Sequence, residues 1–145
     1  TNSVTLYFER ERKWLGVLVE ANEAKHRMSL AKNRQCHMWN FRIVFDDEAR
    51  HFSEDSIKTQ QLFDMINRTS IDLLSLNLHG QELDLLKAID FVRYHIRVVT
   101  IELQSDVSSE TYQEIKETLE SQGYGVAHHV VNSFQGKKDV IFEKL

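Results

Sequence analysis

The chain has 145 residues, and 22 Asp plus Glu outweigh 18 Lys plus Arg to give a formal net charge of −4. A chain of this length predicts one domain over residues 1–145, because domains mostly run about 100–200 residues. The acidic balance argues against a nucleic-acid partner, since phosphate binding needs clustered positive charge. With a single cysteine, Cys36, the chain has no disulfide framework of its own.

The predicted elements of the first half are short. Residues 3–13 mix apolar with polar side chains and end in charge, which is typical of a short amphipathic helix. The apolar run 15–20, LGVLVE, predicts a buried parallel strand, and Asn22 is suited to cap the helix that follows. The β-branched and aromatic run 41–45, FRIVF, predicts a strand, whereas apolar positions at helical spacing predict a short helix over 62–67.

The strongest strand signals come next along the chain. The apolar runs 71–78, IDLLSLNL, and 96–103, IRVVTIEL, predict buried strands. Gly80 ends the first of them, and a helix over 81–92 is expected to follow. The apolar face predicted for that helix consists of Leu83, Leu86, Ile89 and Phe91.

The end of the chain predicts one more helix and a hairpin. A cap at Ser108 or Ser109 begins the helix, and Gly123 stands where its C-terminal stop is expected. The runs 124–131, YGVAHHVV, and 138–144, KDVIFEK, flank a turn-like segment and predict an antiparallel hairpin. Strands that alternate with helices indicate an α/β fold with a doubly wound, mostly parallel sheet, because crossovers in such sheets are right-handed.

Six segments of the chain occur in the order of one known family's motifs. They are TLYFERERKWLGVLVEANE (5–23), NR (33–34), SIDLLSLNLHGQELDLLKAID (70–90), VVTIEL (98–103), LESQGYGV (119–126) and KDVIFEKL (138–145). In these segments the chain resembles the FkbM-type methyltransferase domain, and within that family the animal Star-like subgroup. The resemblance implies a Rossmann-like fold of the class I methyltransferase type, with a C-terminal antiparallel hairpin and S-adenosylmethionine (SAM) as the methyl donor.

The chain departs from the family pattern in several places. The family's opening strand and its glycine loop, where SAM rests, would precede Thr1, so we expect the chain to be a fragment that is incomplete at its N-terminus. Asn77 and His79 stand where the family has Asp and Glu, and Glu23 replaces a proline. The departures at Asn77 and His79 predict a degenerate active site.

Two residues are candidates for binding SAM. Glu20 ends a predicted strand, and ligands in open α/β sheets bind outside the carboxyl ends of the strands. The resemblance implies that Glu20 accepts hydrogen bonds from the ribose hydroxyls of SAM, with Asn22 beside it. The alternative is a charged residue at a strand exit, followed by an ordinary helix cap.

Three residues are candidates for catalysis. Asn77 and His79 are two apart in a segment predicted as extended, which places their side chains on the same side. Asn has no basic group, whereas the His79 imidazole is suited to take a proton from the acceptor. Glu102, near the end of the next strand, contacts the acceptor or caps a loop. The alternative for Asn77 and His79 is relaxed constraint in a domain that does not catalyse.

Two functions follow from these residues. The first is a SAM-dependent O-methyltransferase with a degenerate active site, in which Glu20 and His79 share one crevice and the acceptor is a small molecule or a glycan. The second is a non-catalytic methyltransferase-fold module for binding or trafficking, whose partner in the Star-like subgroup is a protein cargo. No metal is expected in either case, because the seven histidines lack the spacing of a zinc site.

The expected location depends on the same choice. Star-like proteins are lumenal, so the resemblance implies the endoplasmic reticulum or Golgi, with a membrane anchor only upstream of this fragment. Without that resemblance the chain is expected in the cytoplasm. The triplet Asn67-Arg68-Thr69 is an N-glycosylation sequon, which matters only in the lumen.

Overall fold

The computed structural model describes residues 4–45, 53–103, 107–132 and 137–145. The chain divides into two compact units, Thr1–Ile66 (unit 1) and Asn67–Leu145 (unit 2). The sequence prediction of one domain over residues 1–145 stays a prediction. Within the described ranges, no helix is both long enough and apolar enough to cross a membrane.

Unit 1 consists of short elements that mix helices with strands. Each of its helices has eight residues and each of its strands has three. Ser3, where the sequence placed the start of the first helix, lies outside the described residues. The elements of unit 1 are α1 (Val4–Glu11), β1 (Val17–Val19), α2 (Glu23–Leu30), β2 (His37–Trp39), β3 (Arg42–Val44), β4 (Ser56–Lys58) and α3 (Thr59–Ile66).

The strands of unit 1 form two separate parallel pairs. Strand β1 pairs with β2, and β3 pairs with β4. The sequence did not predict β2 or β4, because neither segment stands in a longer apolar or β-branched run such as those that indicated β1 and β3. Helix α2 buries none of its residues. The buried apolar side chains of unit 1, among the described residues, are Val44, Ile57, Leu62 and Phe63.

A buried ion pair joins α1 to the loop before β2. Arg34 Nε donates to Glu9 Oε2 at 2.8 Å, and both side chains are 6% exposed. The backbone N–H of Gln35 donates to Glu9 Oε1, and Arg34 Nη2 donates to Thr5 Oγ1 at 3.2 Å. Burial favours a raised pKa, but hydrogen bonds from Gln35 and Arg34, together with the Arg34 charge, hold the pKa of Glu9 below its usual value. A charged contact therefore ties α1 into unit 1.

The thiol of Cys36 lies next to this ion pair. Its side chain is half-buried, and burial together with a hydrogen bond to Glu9 raises the pKa of the Cys36 thiol. Because the thiolate is the reactive form of cysteine, a raised pKa makes this group less reactive at neutral pH than an ordinary cysteine. Cys36 is therefore suited to a structural role.

The described residues of unit 2 form one four-stranded sheet and two helices. The strands run in the order β5-β6-β8-β7, in which β5 and β6 are parallel and β8 is antiparallel to both of its neighbours. The predicted C-terminal hairpin is confirmed, and its last strand lies between β6 and β7. The elements of unit 2 are β5 (Ser70–Leu76), α4 (Glu82–Ala88), β6 (His95–Leu103), α5 (Glu110–Ser121), β7 (Tyr124–Asn132) and β8 (Lys137–Lys144).

The core of unit 2 is apolar and centred on β6 and β8. Val99 lies opposite Phe142 and Ile101 opposite Val140, and all four side chains are fully buried. These strands form the middle of the sheet, so their backbone groups are paired on both sides. The buried residues that the two helices add to this core include Leu85, Leu86, Tyr112, Ile115 and Leu119.

The helices of unit 2 confirm one prediction and correct another. Ser109 caps α5, since its Oγ accepts the Tyr112 N–H at 3.2 Å. Helix α4 is shorter than the sequence predicted, because the backbone becomes extended at Ile89. Leu85, which was not in the predicted apolar face, is buried, whereas the predicted Leu83 is only half-buried.

Candidate functional site

Glu20 follows β1 directly and is fixed by its neighbours. Its Oε1 accepts the backbone N–H of Asn22 at 2.8 Å, and its own N–H donates to the Trp39 carbonyl at 3.0 Å. The Asn40 side chain donates to the Glu20 carbonyl at 2.6 Å. The Glu20 side chain is half-buried. The Glu20 backbone is thus held at the end of a parallel strand, and one oxygen of its carboxylate is bound by the Asn22 N–H.

Asn22 is the N-cap of α2, as the sequence predicted. Its Oδ1 accepts the Lys25 N–H at 2.9 Å, and its backbone is extended. One of the two lone-pair sites of that oxygen is therefore used by the helix itself. The capping role is confirmed, and a role of Asn22 in binding SAM stays a prediction.

Asn77 and His79 occupy the loop that leaves β5. The strand ends at Leu76, and His79 adopts a left-handed backbone with φ of 54°. The expectation of an extended segment is wrong at His79, because a turn begins there and the alternation of a strand no longer applies. Gly80 continues the turn with φ of 106°, a conformation that favours glycine. Both the Asn77 and the His79 side chains are exposed.

The loop is held by a residue that the sequence analysis did not select. Glu82, the first residue of α4, is 4% exposed and accepts the backbone N–H groups of Leu78 and Gly80 at 2.7 and 2.9 Å. An acid two residues after a glycine, at the start of a helix, is the signal that points to such a contact.

Glu102 lies on β6 beside the start of this loop. The parallel register of β5 and β6 ends with Leu76 opposite Ile101, so Asn77 and Glu102 each come one residue further. On the other side of β6, Glu102 lies opposite Asp139 of β8. Its side chain is half-buried.

In unit 2, the structure therefore places Asn77 and Glu102 beside each other at the carboxyl ends of two parallel strands, and His79 follows two residues later in the loop. Glu20 and Asn22 belong to unit 1, and the expectation that Glu20 and His79 share a crevice stays a prediction. Across the ranges that the structure describes, no group of three or more His, Cys, Asp or Glu side chains is placed to hold a metal ion.

Comparison with known proteins identifies the family. A family model described as "Methyltransferase FkbM domain" matches residues 25–126, which is more than half of the chain and includes residues of both units. Methyltransferases of this family generally use SAM. The match includes Asn77, His79 and Glu102, and it begins after Glu20 and Asn22. A search of curated proteins found no match. The family resemblance is confirmed, and the chain belongs to the FkbM methyltransferase domain family.

Proposed function

We propose that this chain is a SAM-binding FkbM domain with a degenerate site for methyl transfer to oxygen. The observation that supports the proposal is the position of Asn77 and Glu102, one residue beyond the last pair that β5 forms with β6, with His79 in the loop that follows. Ligands of open α/β sheets bind at this end of the strands. The family match, which includes all three positions, makes methyl transfer the chemistry to test first.

The residues after β1 fit the ribose of SAM in their chemistry. A ribose presents hydroxyl donors, and the Glu20 carboxylate offers about four lone-pair sites, of which the Asn22 N–H takes one. That backbone bond fixes the carboxylate before a ligand arrives, which lowers the cost of binding. Glu20 is therefore the proposed ribose acceptor, with Asn22 as the residue that orients it.

The loop after β5 supplies the proposed catalytic groups. When bound, SAM supplies a methyl group that is bonded to a positively charged sulfur. His79 would take the proton from the acceptor hydroxyl as its oxygen bonds to the methyl carbon and the methyl carbon–sulfur bond breaks, with S-adenosylhomocysteine as the leaving group. Asn77 and Glu102 orient the acceptor by hydrogen bonds, since an amide cannot act as the base. The proposed acceptor is a hydroxyl of a small molecule or a glycan.

We further propose that the strands are parts of a doubly wound, Rossmann-like sheet of the class I methyltransferase type. Three strand pairs are parallel, β1 with β2, β3 with β4 and β5 with β6. The last strand of the chain enters antiparallel between β6 and β7, as the class I type implies.

A second candidate function is a non-catalytic module of the Star-like kind that binds a protein cargo. It is favoured by exposed aromatic side chains in unit 1, because such groups are enriched in protein interfaces. The Phe8 ring stacks on Trp14 at 4.5 Å and meets Tyr7 edge-on at 5.6 Å, and Tyr7 and Trp14 are both largely exposed. In this function Asn77 and His79 have no catalytic role.

Calorimetric titration of the protein with SAM tests the proposal. We expect heat of binding in the natural chain, and an affinity about 10- to 100-fold lower in Glu20→Gln, because bonds to a charged acceptor contribute about 1.5–3 kcal/mol each. The matched control is Glu23→Gln, which removes an exposed carboxylate from the first turn of α2. This control should bind SAM as the natural chain does.

The absence of heat at millimolar SAM would reject the donor site and favour the binding module. Equal affinities of Glu20→Gln and Glu23→Gln for SAM would show that Glu20 does not bind the ribose.

A separate assay measures the S-adenosylhomocysteine that is released when a panel of monosaccharides is offered as acceptors. A higher rate in the double variant Asn77→Asp with His79→Glu would mark the site as degenerate, and an unchanged rate would contradict that part of the proposal.

A further inference from the structure

One side chain binds the backbone on both sides of His79. Glu82 Oε1 accepts the N–H of Leu78, the residue before His79, and Oε2 accepts the N–H of Gly80, the residue after it. The two distances, 2.7 and 2.9 Å, are those of charge-assisted hydrogen bonds. Because Glu82 is almost fully buried, water competes little for its oxygens.

This two-point contact explains the conformation of His79. A left-handed backbone is unfavourable for any residue with a side chain, so contacts around it must hold it in place. With the N–H groups of Leu78 and Gly80 both bound to Glu82, the chain turns at His79 with φ of 54°. The imidazole is left exposed at the turn.

The geometry differs from that of an ordinary helix cap. A capping side chain satisfies the N–H groups of a helix's first turn. Both Glu82 bonds instead run backwards from the first residue of α4 to the loop that precedes it. Gln81, at the N-cap position of α4, makes no side-chain capping bond. The Glu82 contact therefore orders the loop rather than the helix.

We propose that Glu82 is a positioning residue, whose carboxylate fixes Leu78 and Gly80 so that the His79 imidazole is presented from the turn. The inference deepens the proposed function and rests on it for the role of His79 as the base. The contact itself is independent of SAM. Glu82 touches no reacting atom and acts only through the loop.

Hydrogen exchange of individual amides, followed by NMR on the protein without ligand, tests the contact. In Glu82→Ala we expect exchange at Leu78 and Gly80 to become about 10- to 100-fold faster, as two bonds to a charged acceptor are lost. Glu82→Gln should give a smaller increase, because its side chain keeps one acceptor oxygen and faces the other N–H with a donor. The three-bond HN–Hα coupling of His79, which reports φ, should change in the same order.

The matched control is Asp84→Asn, which removes an exposed carboxylate from the same turn of α4. It should leave the Leu78 and Gly80 amides and the His79 coupling unchanged. The amides of β6, which is paired on both sides, report the integrity of the sheet in each variant. If Glu82→Ala also speeds exchange throughout β6, that substitution has disturbed the sheet. The contact is then judged from Glu82→Gln.

Unchanged exchange at Leu78 and Gly80 in Glu82→Gln, or an unchanged His79 coupling, would overturn the inference. The same is true if Glu82→Gln speeds exchange in β6 as much as in the loop, because the residue would then be structural only. These readouts need no donor, so a failure of the chain to bind SAM would reject the proposed function and leave the contact to be judged by its own test. Where turnover is measurable, Glu82→Gln should lower kcat and leave the SAM dissociation constant unchanged.

Discussion

The two units of this chain are stabilised in different ways. Unit 2 has strands of seven to nine residues around a core of aliphatic and aromatic side chains, whereas the strands of unit 1 have three residues each. Unit 1 adds a buried Glu9–Arg34 pair to a smaller set of buried apolar side chains. Among the described residues of unit 1, the large apolar side chains that are exposed are Tyr7, Trp14, Leu15, Met28, Leu30 and Met65.

This difference predicts which substitutions should destabilise each unit. Apolar burial does not depend on pH and loses stability when a cavity is made. A buried ion pair loses stability when either partner is removed or neutralised, because the remaining charge is left without compensation. Unit 1 should therefore be sensitive to charge and unit 2 to volume.

The largest effect is expected at the centre of the unit 2 sheet. Phe142→Ala removes a fully buried ring from β8 and should lower the free energy of unfolding by about 3–5 kcal/mol, through lost transfer energy and the cavity left behind. Denaturant unfolding, followed by the exchange of β6 amides, measures it. The control Val92→Ala truncates an exposed side chain of the same unit and should change the value by less than about 0.5 kcal/mol. A loss below about 1 kcal/mol for Phe142→Ala would break the comparison.

The next effect is expected at the ion pair of unit 1. Glu9→Gln leaves Arg34 buried without its counter-charge and should lower the free energy of unfolding of unit 1 by about 3 kcal/mol. Both tryptophans, Trp14 and Trp39, lie in unit 1, so their fluorescence follows this unit alone. The matched control is Glu11→Gln on the same helix, where the carboxylate is exposed and the change should be within about 0.5 kcal/mol. Equal results for the two variants would show that the pair does not stabilise unit 1.

Acidification sharpens the same test. The pKa of Glu9 is lower in the folded protein than in the unfolded chain, so its contribution is complete above the unfolded value of about 4.3 and is lost as the pH falls through the folded pKa. Tryptophan fluorescence should therefore report a loss of unit 1 stability in this acidic range. The loss should be smaller in Glu9→Gln, and an identical pH profile in the two proteins would contradict the assignment.

The smallest effect concerns the backbone that follows α5. Gly123 has φ of 80°, a conformation that costs a residue with a side chain about 1–2 kcal/mol, so Gly123→Ala should destabilise unit 2 by about that amount. Gly16→Ala in unit 1 is the control, because no positive φ is present there and the nearest atom to an added Cβ is 3.9 Å away. Denaturant midpoints compare the two, and equal losses would show that the left-handed conformation is not what matters at Gly123.

The sequence predicted those elements whose signal lies within the element itself. The apolar runs that became β5 and β6 are long enough to be identified as strands, but burial is confirmed mainly for β6, since Leu76 is the one buried residue of β5. Asn22 and Ser109 each carry their capping signal in one side chain. The strands β1 and β3 are equally short but lie in apolar or β-branched runs, whereas β2 and β4 lack such a run and were not predicted.

The candidate site was predictable in position but not in conformation. Residues at the end of an apolar run are readily assigned to the carboxyl end of a strand, which located Asn77 and Glu102. The turn at His79 depends on a left-handed backbone and on the hydrogen bonds from Leu78 and Gly80 to Glu82. The alternation of side chains along a strand carries no information about either. The sequence therefore indicated which residues gather at this end of the sheet and missed what orders them.

The position of Cys36 turns the sole thiol of the chain into a reporter of unit 1. It is half-buried, its pKa is raised, and it shares a hydrogen bond with Glu9. Alkylating reagents should therefore label Cys36 more slowly in the folded protein than when the segment around the ion pair is open. A change in the rate of labelling at neutral pH then reports a change in this segment, and a mass spectrum of the intact chain shows a single modification that leaves unit 2 unmarked.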